Sequence, residues 1–141
     1  MSTGPAIAVA VTFVWLGMVA AISFLEAPLK FRAPNVTLQI GLGIGRLVFR
    51  ALNRVEIVFA IVIVAVIAAR PPAVGVIAAF AIALVTLAVQ LAVVRPRLNR
   101  RSDKVLAGLN APRSRGHYAY VGLEAAKVIA LVAAGTLLLS S

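Results

Sequence analysis

The chain has 141 residues, 62% of them hydrophobic and only 13% charged, and a formal net charge of +10. A soluble domain carries roughly 45–50% apolar residues, and so short a chain leaves much of its surface exposed, so the apolar excess needs a second solvent, the bilayer. There is no cysteine, which excludes disulfides, thiolate metal sites and thiol redox chemistry. The basic residues lie between apolar segments, where lipid headgroups and the insertion machinery account for them, and nucleic acid is not expected as a partner.

In chain order, residues 5–25 are apolar and uncharged up to Leu25, enough for the roughly 20 residues that cross a bilayer. No positive charge precedes them, which argues against a signal peptide. The second span is decided by length. Thirteen residues, Ile57 to Ala69, separate Glu56 from Arg70, and at 1.5 Å each they reach only about 20 Å. The helix must extend backwards, giving a span at 47–69 that carries Asn53 and Glu56 into the edge of the membrane. Residues 36–49 can continue it outward as an amphipathic surface segment, with Pro28 and Pro34 fixing the start of the connection. Arg70-Pro71-Pro72 separates this span from the third, at 73–94, and Arg95-Pro96 is read as its close. A polar stretch follows, with a turn-rich linker at 110–116, before the fourth span at 118–139.

These elements define an all-α membrane protein, one domain of four transmembrane helices in two hairpins. Its connections at 26–46 and 95–117, with Arg50 and Arg54 at the start of span two, carry twelve of the fourteen basic residues. Basic loops stay in the cytoplasm, so the expected topology has both termini outside, in the plasma (inner) membrane.

Polar groups at membrane depth need a partner or a task. Glu26 ends span one, Asn53 and Glu56 open span two, Gln90 lies near the end of span three, and His117 opens span four. His117, Tyr120, Glu124 and Lys127 are spaced 3, 4 and 3, which places them within about 80° on one helix face. The expected ligand-binding set is therefore Glu26, Asn53, Glu56, Gln90, His117, Tyr120, Glu124 and Lys127, open toward the cytoplasm. The bland alternative is that Glu124 and Lys127 neutralise each other and cement the bundle, while Glu26 pairs with Lys30. Arg95, Arg97, Arg100 and Arg101 form a basic stretch suited to anionic headgroups.

A single histidine excludes a bis-histidine haem within one chain. A metal on His117, Glu124 and Glu56 fits imidazole and carboxylate chemistry, yet no dense ligand motif accompanies them, so metal and cofactor stay open. Gly41-Leu42-Gly43-Ile44-Gly45 lacks the strand and the lysine of a nucleotide loop and reads instead as a small-residue helix contact. No catalytic nucleophile motif is present.

Three stretches carry a family resemblance. They are Phe24-Leu25-Glu26-Ala27-Pro28-Leu29-Lys30-Phe31-Arg32-Ala33-Pro34, then Gly45-Arg46-Leu47-Val48-Phe49-Arg50-Ala51-Leu52-Asn53-Arg54-Val55-Glu56, then His117, Tyr120, Glu124 and Lys127. Together they resemble a group of uncharacterised bacterial four-helix membrane proteins. More remotely, the chain is similar to the transmembrane proteins associated with cisplatin resistance, which share a tryptophan-and-glycine first span, a basic and proline-containing end to the third, and an Arg-x-His opening to the fourth. Where that family carries an amide seven residues after the histidine, this chain has Glu124. The resemblance implies the four-helix fold and brings no activity with it.

Three function classes follow. The first is a small transport or solute-binding protein, as a homo-oligomer, for an ion, solute or lipid. The second is an accessory or assembly subunit of a larger membrane complex. The third is an intramembrane enzyme using His117, Tyr120 and Glu124, for which no nucleophile or cofactor signature speaks.

Overall fold

The structure, a computed structural model, describes residues 2–110 and 115–141. Most of the linker expected at 110–116 lies outside the described residues. Four long helices make up the fold: α1 (Thr3–Lys30), α2 (Leu38–Ala69), α3 (Val74–Leu106) and α4 (Arg115–Ser140). Each is long and apolar enough to cross a membrane, and no strand occurs among the described residues.

Two helices run through prolines that the sequence marks as boundaries. α1 continues past Pro28 to Lys30, and α3 continues past Pro96 to Leu106. Proline lacks an N–H and its ring collides with the carbonyl four residues back. In both cases a widened π-helical turn comes just before it, at Ala20–Glu26 and at Gln90–Val94. There Ala27 N–H donates to the Ile22 carbonyl and Arg95 N–H to the Gln90 carbonyl, each five residues back. The wider turn makes room for the ring, and the helix bends instead of ending. The helix expected to close at Arg95-Pro96 thus runs on to Leu106, where Gly108 adopts φ 85° and Leu109 N–H returns to the Lys104 carbonyl. That positive φ suits glycine, which has no Cβ to clash.

The amphipathic segment before span two is part of α2 itself, which starts at Thr37, whose hydroxyl accepts from Ile40 N–H at 3.1 Å. This basic-end extension lies against the end of α3, where Gln39 Nε2 donates to the Val105 carbonyl and Arg46 pairs with Asp103. Gly41 and Gly45 do make close approaches, but to the end of α1: a Cβ on Gly41 would meet the Phe31 ring, and one on Gly45 the Lys30 Nζ at 2.8 Å.

α4 packs along both α1 and α3, and α1 also packs along α2. α2 and α3 meet mainly at the basic end, so their apolar stretches leave an open groove between them. The core is built from Trp15, Val19, Ile63, Phe80, Leu87 and Leu131. Large apolar side chains point outward in turn, among them Ile61, Val85 and Ile129, each more than 60% exposed. In water such a surface is an aggregation liability; against lipid it is matched.

Candidate functional site

Below the apolar core, all four helices deliver a polar group to one point. Lys127, on α4, is central. Its ammonium contacts Glu56 of α2, lies 2.6 Å from Glu124 Oε1 on its own helix, and donates to Gln90 Oε1 of α3 at 2.8 Å. Three donors thus meet three acceptors. The carboxylates are held in turn. Trp15 Nε1 of α1 donates to Glu56 at 2.9 Å, and Asn53 Nδ2 to its other oxygen at 3.2 Å. Ser23 Oγ of α1 donates to Glu124 Oε2 at 2.6 Å, and Gln90 Nε2 to Glu124 Oε1 at 3.3 Å. Glu56, Gln90, Glu124 and Lys127 are at most 1% exposed.

Local helix geometry explains the convergence. Asn53 and Glu56, and likewise Glu124 and Lys127, are three apart and therefore share a face. Ser23 and Gln90 both lie in the widened turns ahead of the prolines. A π turn rotates the face that follows it and is often found at functional sites; here both turns supply a side chain to the same cluster.

One ammonium faces two carboxylates, and these are two of the four acidic residues in the chain. Fully ionised, the cluster carries one negative charge in excess. Buried charge is costly unless paired and hydrogen-bonded, and removing one partner from such a set is strongly destabilising.

Of the residues singled out by sequence, the structure brings Asn53, Glu56, Gln90, Glu124 and Lys127 together. Tyr120 borders them: its backbone carbonyl lies 3.5 Å from Gln90 Nε2, and its ring packs edge-on against Phe49 at 5.7 Å. His117 and Glu26 lie elsewhere. His117 is half-buried in the first turn of α4, edge-on to Tyr118 at 5.6 Å; seven residues from Glu124, it is about 10 Å lower along the axis. Glu26 sits 3.8 Å from Lys30 one turn away, because the π turn commits Ser23 to the interior instead. Among the described residues no three His, Asp or Glu side chains group as metal ligands, so the set His117, Glu56 and Glu124 does not form.

Within the basic stretch, Arg95 turns inward. Its Cζ lies 4.9 Å from the Phe49 ring centroid and 4.5 Å from that of Tyr120, a cation–π contact with both rings. Arg97 and Arg100 are exposed and Arg101 half-buried.

Sequence reasoning missed Trp15 and Ser23. The available signal was that Trp15 is the only tryptophan in the chain, and an indole N–H at membrane depth needs an acceptor. No family model, no curated protein and no solved structure matches this chain.

Proposed function

We propose that this is a multi-pass inner-membrane protein, basic loops in the cytoplasm and both termini outside, that binds a small cation or cationic solute at its buried cluster as part of a transport role. One observation carries the reading: a single ammonium shared by two carboxylates from two helices, fully buried and hydrogen-bonded by side chains of the other two. The excess negative charge asks for one positive charge more, which a small bound cation would supply. Because the four helices are joined through the site, a change in its occupancy acts on all their packing contacts at once, which is what an alternating pathway requires. Four helices enclose little volume, and a homo-oligomer would supply the rest of a pathway.

The second reading is an accessory or assembly subunit whose cluster is cement, favoured by the fact that Lys127 already meets three acceptors. Melting of the purified protein in detergent, across sodium, potassium and small organic cations, separates the two. The binding reading expects a melting temperature that depends on one of these, and expects Glu124→Gln to abolish the dependence while the fold persists. Dependence unchanged in Glu124→Gln removes the cluster from any binding role. Cation-driven flux in liposomes then supports transport; its absence, with co-purification in a larger complex, supports the accessory role.

A further inference from the structure

The groove between α2 and α3 is lined only by apolar side chains, chiefly Ile57, Ile61 and Val64 on α2 and Leu84, Ala88 and Leu91 on α3, and holds about 500 Å³. It is an open groove on the outer face of the bundle and not an enclosed cavity. Toward the basic end each helix carries an arginine within about one turn of the lining residues. Arg54 lies three residues before Ile57, on the same face of α2. Arg95 follows Leu91 by one turn on α3. From Arg54 to Ala69 the helix climbs about 22 Å, which places Arg54 near the headgroup boundary if α2 spans the bilayer.

Arg95 has a second peculiarity. Its Nε and Nη2 are buried and have no hydrogen-bond partner among the described residues. A guanidinium stays charged in proteins, and contact with the Phe49 and Tyr120 rings gives its N–H groups no oxygen acceptor. Donors left unmatched in this way are expensive, and a charged acceptor is the natural remedy.

We propose that the groove and the two arginines form a site for one anionic phospholipid, with an acyl chain lying in the groove and the phosphodiester on Arg54 and Arg95. Occupation requires the guanidinium edge of Arg95 to turn toward the groove foot, where a phosphate oxygen accepts its unmatched N–H groups. A second copy of this chain suits the groove less well. Its net charge is +10 and most of its basic residues lie in the segments around this end, so a copy in the same membrane orientation would bring like charge to the arginines. The inference does not depend on the cation-binding role of the buried cluster.

The test is titration of the purified full chain in an uncharged detergent, read by native mass spectrometry and by melting. The probes are short-chain phosphatidylglycerol, phosphatidylcholine of the same chain length, and inorganic phosphate. We expect one phosphatidylglycerol bound per chain with a raised melting temperature, a weaker effect of phosphatidylcholine, and none of phosphate. Arg54→Gln, at an exposed position, should weaken apparent affinity about tenfold, as for one charge-assisted hydrogen bond. Ala88→Trp, also exposed and projecting into the groove, should block binding without touching the arginines. Equal stabilisation by inorganic phosphate would reduce the site to a free-anion site and overturn the groove's part in it. Phosphatidylglycerol binding unchanged in both variants, or dimers cross-linked through Ile61 and Ala88, would overturn the proposal altogether.

Discussion

At the scale of single residues, the cluster is organised so that no charge stands alone. Trp15 shows how this extends beyond the ions. Its indole N–H is one of three donors to Glu56, together with Asn53 and Lys127. Trp15→Phe keeps most of the ring packing against Phe59 (6.3 Å between centroids) and deletes only the donor. Loss of one hydrogen bond to a buried charged acceptor is expected to lower stability by about 1–3 kcal/mol, measured by denaturant or thermal unfolding in micelles. No loss would mean that Glu56 takes nothing from the first helix. His117→Ala, by contrast, removes a ring that lies about 10 Å from the cluster along α4. It should leave the response of the protein to cations intact in the same melting assay.

At the scale of elements, α4 is the central helix, and its small residues set how closely its neighbours approach. A Cβ on Gly135 would meet the Phe13 ring of α1 at 2.7 Å, whereas one on Gly122 would meet nothing within 4 Å. Gly135→Ala should therefore destabilise by about 1–3 kcal/mol through overpacking. Gly122→Ala, in the same helix, should be neutral or gain up to about 1 kcal/mol of helix propensity. Equal effects of the two would contradict the α1–α4 interface.

The elements also show what could be read in advance. The polar face of α4 was legible because helical periodicity places Glu124 and Lys127 together. Glu56 was legible because thirteen apolar residues are too few to span a bilayer. The passage of α1 and α3 through Pro28 and Pro96 was not legible. Sequence marks a proline as a helix end, and only packing against neighbouring helices decides whether a π turn absorbs the ring. Ser23 and Gln90 reach the cluster through those turns, so no spacing in the sequence points to Ser23, and Trp15 stands in an otherwise apolar run.

At the scale of the whole molecule, twelve basic residues at one end and Arg70 near the other imply an orientation. The chain has no cysteine, so single cysteines report without background. Cysteines at Ser2 and Ser141 should react with a membrane-impermeant maleimide on intact cells, and one at Lys104 only after permeabilisation. The reverse pattern would invert the protein and place the cluster nearer the outer face.

Lys127 joins carboxylates from two helices inside the bundle. The most direct measurement is the thermal stability in detergent of Lys127→Met, Glu56→Gln and the double variant. Lys127→Met leaves two buried carboxylates without a cation and should cost about 3–5 kcal/mol. Adding Glu56→Gln removes one of them, so the double variant should be more stable than Lys127→Met alone. If the two losses simply add, leaving the double variant the least stable of the three, Lys127 and Glu56 are not partners and the cluster does not hold the bundle together.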